Sequence, residues 1–341
     1  VRDTTCLLPH GEEKSLERLF EWVNPACDHV GMAPDGMNEW LRRGISFGNA
    51  LDTGRDEEPR LRLRERYLDD VRGAGFDTVR LPVRWSAHAD ASAPYTIEEG
   101  FLERVDWAVD QALRRELTVV LNLHHYHELQ AAPDRHEARF VALWRQIAAR
   151  YADRPGRLCF ELLNEPRDAI TPAAWNQLWP KAHGAVRASD PDRLMLIGPA
   201  RMNDADALPA LELPEDDHVI ATVHYYAPFE FTHQGAPWVP GADRWLGTTW
   251  GSDTDRDAVR TDLTNAANWA QHHGRPLLVG EFGAYERADG ASRLRWTAFV
   301  RSEAERLGLA WCYWDFGTDF GAFDPQRDAW RTPMLHALLP P

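Results

Sequence analysis

From Arg43 to the C-terminus, short apolar runs alternate with longer stretches in which apolar residues recur three and four positions apart. The runs lie at 44–47, 78–82, 118–123, 158–163, 194–197, 219–223, 277–280 and 310–314, and their length and flanking turn residues predict buried strands. Helical spacing fills 62–74, 98–115, 137–151, 173–188, 257–273 and 292–307. The fifth unit is the least regular: 204–213 reads as a weak helix, and 229–252 reads as a long aromatic-rich loop. Strands that are apolar throughout and joined through helices pair in parallel. Eight such units without a GxGxxG opening predict an α/β fold of the (β/α)8 TIM-barrel type rather than an open doubly wound sheet. No Pro- or Ser-rich linker divides the chain, so 43–341 reads as one domain. Residues 1–42 break the rhythm, because Pro9, Pro25, Gly31, Pro34 and Gly36 interrupt a short helical pattern around Leu16, Leu19 and Trp22. They predict a loop-rich N-terminal extension packed on the barrel as a plug at its bottom.

A barrel of this kind builds its site at the C-terminal ends of its strands. Reading those ends in order gives Asn49 and Asp52, then Arg80, Arg84 and Trp85, then His124, His125 and Tyr126. Asn164 and Glu165 follow, then His224, Tyr225 and Tyr226, then Glu281, and finally Trp314 and Asp315. Two of the apolar runs end in a glutamate, Phe160-Glu161-Leu162-Leu163-Asn164-Glu165-Pro166 and Leu277-Leu278-Val279-Gly280-Glu281-Phe282-Gly283. One glutamate after a strand is ordinarily a helix cap or a solvated loop residue. Two in matched positions suit glycoside hydrolysis, where one carboxylate attacks and the other protonates the leaving group. The reading makes Glu281 the nucleophile, kept charged by Arg80 and a phenolic hydrogen bond from Tyr226. Glu165 becomes the acid/base, kept protonated and tuned by His224. Asn164 is placed to meet a sugar 2-hydroxyl, and Trp314 to floor the subsite where the ring distorts.

Charge and composition narrow the partners. A formal charge of -15 repels polyanions, so nucleic acid and anionic membrane surfaces are not expected partners, and a neutral or cationic substrate fits better. No window approaches the roughly 18 consecutive apolar residues of a membrane span, and a soluble monomer is expected. Most of the 15 tryptophans are expected in packing and a few on sugar faces. Cys159 and Cys312 sit in apolar runs as small buried hydrophobes, whereas Cys6 and Cys27 could pair in the extension. The chain starts at Val1 without a charged-then-apolar leader, and a processed form is expected to be secreted or periplasmic, a cytoplasmic one being the alternative. The segment His124-His125-Tyr126-His127-Glu128 invites a metal reading. HExxH is absent and adjacent strand residues point to opposite faces, so sugar binding is preferred and no metal or other cofactor is expected. No GxSxG elbow supplies a serine nucleophile.

Taken in order, Gly48-Asn49-Ala50-Leu51-Asp52, Val79-Arg80-Leu81-Pro82-Val83, His124-His125, Asn164-Glu165-Pro166, His224-Tyr225-Tyr226, Gly280-Glu281-Phe282-Gly283 and Trp314 resemble glycoside hydrolase family 5. The similarity is greatest to its thermophile-type cellulases acting on β-1,4-glucan and sometimes mannan, with Phe229-Glu230-Phe231-Thr232-His233-Gln234-Gly235 as a further similar stretch. The resemblance implies a retaining endo-β-1,4-glycanase, with Glu165 as acid/base and Glu281 as nucleophile. It implies that Arg80, His124, His125, Asn164, His224, Tyr226 and Trp314 line the cleavage subsite, with Asn49 and Asp52 nearby and Trp238 supporting bound sugar. Residues 1–42 have no counterpart, and Asp52 and Asp315 stand where such relatives often carry the longer Glu, which bears on subsite detail. A β-mannanase or dual glucanase/mannanase is the alternative within the class. A carbohydrate-binding barrel without chemistry, or a metal-assisted hydrolase, is the alternative outside it.

Overall fold

The structure, a computed structural model, describes residues 41–341. The extension at 1–40, and with it the expected bottom plug and the Cys6–Cys27 pairing, lies outside the described residues. Eight parallel strands close into a barrel in chain order. They are β1 (Arg43–Ser46), β2 (Thr78–Val83), β3 (Thr118–Leu123), β4 (Leu158–Glu161), β5 (Met195–Ile197), β6 (Val219–Tyr225), β7 (Leu277–Phe282) and β8 (Ala310–Tyr313), and β8 pairs back onto β1 through Cys312 and Gly44. All eight expected strands are present, with ends shifted by up to two residues. Outside them pack the helices Glu65–Ala74, Glu99–Arg114, Pro133–Tyr151, Pro172–Arg187, Asp253–His272 and Gly290–Arg306. Their starts follow local chemistry. Thr171 caps one through the Ala174 amide, and Ser252 and Asp255 form a reciprocal capping box at another.

Several elements differ from the sequence expectation. The helix expected from 137 begins at Pro133, whose fixed φ suits a first turn, and a short helix at His127–Ala131 precedes it. The weak helix at 204–213 is a 3-10 turn, Ala205–Ala210, and the 229–252 loop contains a short helix at Phe229–Thr232. A two-stranded hairpin (Phe323–Asp324 with Ala329–Trp330) and a final helix, Thr332–Leu338, complete the chain.

Side chains alternate across each strand, and the alternation divides the core in two. Outward residues such as Val79, Leu121, Phe160, Val279 and Trp311 meet the helices. Inward residues form a lower apolar layer that includes Val120, Cys159, Leu196, Ile220, Leu278 and Cys312, against which Leu41 is buried. One step further toward the strand C-termini the inward positions turn polar: Ser46, Arg80, Asn122, Glu161 and Thr222, all buried. This change of layer positions the site. Both described cysteines are free and buried, as their apolar contexts implied.

Gly44 belongs to the lower layer, and a methyl group there would come to 2.2 Å from Cys312 Sγ. Gly44→Ala is expected to lower stability by about 1–3 kcal/mol through overpacking. In denaturation measurements, adding Cys312→Ala should restore part of the loss.

Candidate active site

The polar layer is centred on Arg80. Its guanidinium is fully buried and donates in fork fashion to Glu161, from Nε at 2.6 Å and from Nη2 at 2.8 Å. Nη2 also reaches Asn164 Oδ1 at 2.7 Å, and Nη1 donates to Glu281 Oε1 at 2.6 Å. An arginine inside an apolar strand needs a buried anion, and here it has two. Glu161 was readable as a charge inside an apolar run, yet sequence reasoning gave it no role; the signal was that such a residue requires a cation in the same layer.

Glu165 follows β4 after a turn whose backbone is left-handed at Glu165 itself, φ 48°. Its Oε1 accepts from His224 Nδ1 at 2.9 Å, and its Oε2 accepts from Arg167 at 3.0 Å. Across the mouth, Glu281 Oε2 accepts from the Tyr226 hydroxyl at 2.8 Å and lies 3.6 Å from the same His224 Nδ1. One oxygen of each glutamate and a ring nitrogen of His224 all lie within 4.8 Å of one another. The two carboxylates expected from non-adjacent strands therefore meet across the mouth, oxygen to oxygen within 4.8 Å.

Burial opposes charge on every member of this group, and their partners decide the balance. For Glu165 burial is outweighed by the hydrogen bond and charge of His224 and by Arg167, which hold its carboxyl below the usual range. For Glu281 burial prevails, helped by the charge of Glu165, over the pull of His224, Arg80 and Tyr226, and its pKa is raised. Burial alone would lower His224, but Glu281 and Glu165 together raise it. The shifts of the two glutamates run opposite to the charges expected from the sequence, and the group nearest to Glu165 that can carry a proton is His224, 2.9 Å away. The cause is one imidazole shared by two carboxylates, a tertiary contact with no sequence signature.

The remaining candidates surround this centre. Burial pushes His124 well below its ordinary range and His125 down to about 4, so both are neutral near pH 7. His124 Nδ1 donates to Asn122 Oδ1 at 2.9 Å, which leaves Nε2 as an acceptor. The two rings lie 4.1 Å apart instead of splaying, because β3 ends at Leu123 and His125 turns left-handed at φ 50°; strand alternation no longer applies. The ring of Trp314 stacks parallel to His124 at 5.8 Å, over Gly48, where a methyl would come to 2.6 Å of the indole. Asn49, left-handed at φ 62°, is tied to Thr318 at 2.9 Å. Burial pushes Asp52 up to about 6, and its Oδ1 and His125 Nδ1 have no hydrogen-bond partner among the described residues. Trp238 is 50% exposed, with its ring against Tyr285 and Phe320, so one side remains open to a ligand.

Two groups, Asp52 with His124 and His125, and Glu165 with His224 and Glu281, have their N and O atoms close enough together for a metal to be considered. In the second group the shared His224 nitrogen and the Arg80 and Tyr226 bonds already satisfy the carboxylates, and a dication would have to displace them.

The cellulase (glycosyl hydrolase family 5) model matches residues 47–319. This chain belongs to that family. The family 5 chain is 32% identical over 324 residues to endoglucanase H of Acetivibrio thermocellus, covering 93% of this chain and 35% of that protein. It therefore spans about a third of the length of that curated relative. Among solved structures, endoglucanase Cel5A of Thermotoga maritima superposes with a TM-score of 0.87 at 44% identity, over 89% of this chain and 98% of that one. The same enzyme in complex with mannotriose matches at 43% identity, again with a TM-score of 0.87 and the same coverage.

The family 5 chain also presents a cavity of about 320 Å³ beside Glu165, lined by Met202, Asp204, Tyr225 and the half-exposed Phe229. Tyr225 and Phe229 stand in the sequence within motif stretches, whereas Met202 and Asp204 had no role there. Their one signal was the irregularity of the fifth unit, which the structure explains by three consecutive left-handed residues, Arg201, Met202 and Asn203. Replacing Arg80 by Met should leave Glu161 and Glu281 buried without their cation. A stability loss of about 3–5 kcal/mol is expected, read as a fall in the midpoint of chemical denaturation.

Proposed function

We propose that the chain is a retaining endo-β-1,4-glycanase acting on β-glucan of the cellulose or mixed-linkage type. The observation that carries the reading is the approach of the two carboxylates, oxygen to oxygen, within 4.8 Å. Retaining enzymes hold their carboxyl groups ~5–5.5 Å apart, whereas inverting enzymes leave ~6.5–9.5 Å for a water. A barrel that only bound sugar would have no use for so costly a pair of buried carboxylates.

In this reading Glu281 attacks the anomeric carbon. Arg80 and Tyr226 hold its oxygens and stabilise the charged form, which must be reached before attack. Glu165 protonates the departing oxygen and then draws a proton from the water that cleaves the glycosyl-enzyme. The proton that Glu165 needs is stored on His224 Nδ1 and is passed across their hydrogen bond. A sugar oxygen arriving beside Glu165 displaces the balance set by Arg167 and favours the neutral acid. Asn164 spends its oxygen on Arg80, so its NH2 faces the 2-hydroxyl. Neutral His124 and His125, Asn49, Asp52, Trp314 and Trp238 supply hydroxyl partners and flat apolar faces for the flanking sugars. Such a polymer does not cross a membrane, so the same reading puts the enzyme outside the cytoplasm.

A dual glucanase/mannanase is the second reading, supported by the Cel5A structures with cellobiose and with mannotriose at 43% identity. Initial rates on soluble β-glucan, mannan and xylan, with the product anomer followed by NMR, test both. Retained configuration with glucan above mannan is expected, comparable rates would establish the dual enzyme, and inverted configuration would overturn the mechanism.

Glu281→Ala should remove nearly all turnover while leaving oligosaccharide binding, and a 2-fluoro activated glycoside should label a peptide containing Glu281. Glu165→Ala should cost about 10²–10⁴ in kcat on glucan and far less on an aryl glycoside with a good leaving group. Because Glu281 is raised and must lose its proton to attack, the acid limb of kcat/KM should lie above that of an ordinary glutamate, activity falling as pH falls through it.

A further inference from the structure

Asn203 lies directly behind His224. It is fully buried, and its Nδ2 stands 3.5 Å from His224 Nε2, opposite the nitrogen that meets Glu165. Its Oδ1 has no hydrogen-bond partner among the described residues. The backbone fixes the pair together, since the His224 amide donates to the Asn203 carbonyl at 2.8 Å and Asp204 bridges to His224 in parallel register. The left-handed run at Arg201, Met202 and Asn203 turns the amide inward against Gly198, where a methyl group would come to 2.6 Å of it.

A buried acceptor left empty beside a ring nitrogen has a simple remedy: a half-turn of the amide puts Oδ1 where Nδ2 stands. With Nδ2 toward the ring the amide donates, which requires a bare Nε2 and keeps the proton on Nδ1. In the turned orientation Oδ1 accepts from Nε2–H. Only with a proton on Nε2 can Nδ1 give up its own to Glu165 and leave the ring neutral.

We propose that Asn203 is a positioning residue for the acid/base pair: by accepting from Nε2–H it holds the His224 tautomer whose Nδ1 exchanges a proton with Glu165. The role of the pair itself rests on the functional reading above. The other groups facing the imidazole are Glu165 after β4, Glu281 on β7, Arg80 on β2 and His124 after β3. On the Nε2 side β7 presents Gly280, whose own added methyl would still stand 3.6 Å from that nitrogen. Thr222 Oγ1 also borders that Gly280 position, and the side-chain group within hydrogen-bond range of Nε2 is the Asn203 amide.

Two substitutions that keep a left-handed backbone accessible test this, Asn203→Asp and Asn203→Gly. The aspartate accepts only and adds a charge behind the ring. It should move the basic limb of kcat/KM on soluble β-glucan up by about one pH unit or more. The glycine removes the acceptor and should move that limb down by about one unit, the worth of one hydrogen bond to a charged group. Opposite shifts are the signature, because a merely structural residue would lower kcat in both variants at unchanged limbs. An unmoved limb, or a shift of the same sign in both, overturns the proposal. The titration of the His224 imidazole by NMR, identified with His224→Gln, must follow the same two directions. If the wild-type protein cleaves no β-glycan, the functional reading fails while this titration still decides the Asn203–His224 coupling. If Asn203→Gly does not fold, the upward shift in Asn203→Asp remains the required result.

Discussion

One buried cation organises the molecule. Arg80 sits in the barrel interior with no access to solvent, and a guanidinium there costs several kcal/mol unless its donors are filled by matching anions. Glu161 fills two of its five in fork geometry, and two more go to Glu281 and Asn164. Because these partners come from β4, from the segment that follows it, and from β7, the network ties one side of the barrel to another at the height where the apolar layer ends. Moving any of these strands by one residue would exchange inward for outward side chains and strand the charge. The bond that satisfies a folding constraint is also the bond that holds a carboxylate at the mouth.

The rim above that layer carries backbone strain. Asn49, His125, Glu165 and the run Arg201 to Asn203 all adopt left-handed φ, at roughly 1–2 kcal/mol each for an L residue. Asn49, His125, Glu165 and Asn203 lie just beyond strands, where the bend turns a polar side chain toward the rim, while Arg201 and Met202 face outward. A closed barrel with two packed layers tolerates this because its strands have no freedom to relax the turns away. Strain at the rim and rigidity beneath it together hold the two glutamates and His224 within a span of 4.8 Å.

That closeness changes the electrostatics. Two carboxylates so near each other do not ionise independently, and the imidazole between them is raised by both and titrates with them. Arg167 and Arg80 then bias the pair from opposite ends, one on Glu165 and the other on Glu281. The charge state of the centre belongs to the group and not to any residue in it, and small changes behind His224 are transmitted to Glu165 through a single ring.

The barrel was legible in the chain because its signal is local. Apolar runs at strand length, separated by helical periodicity, state the strand count and the connection type, and the glutamates ending the fourth and seventh runs stand out as polar residues closing apolar ones. Glu161 was visible as an oddity, but its partner was not, since pairing depends on register between β2 and β4. Asn203 gave no signal at all, lying in a unit whose periodicity is weak because its backbone is left-handed. Strand alternation predicts that the two adjacent histidines diverge, and they converge because β3 ends at Leu123, just before them. The order of residues by itself determined which side chains reach the rim, through strand alternation and the handed closure of the barrel. Which of them touch, and on which atom the proton rests, was decided only when the ring closed, because distances between side chains far apart in the chain exist only in the folded state, and electrostatic coupling depends on those distances.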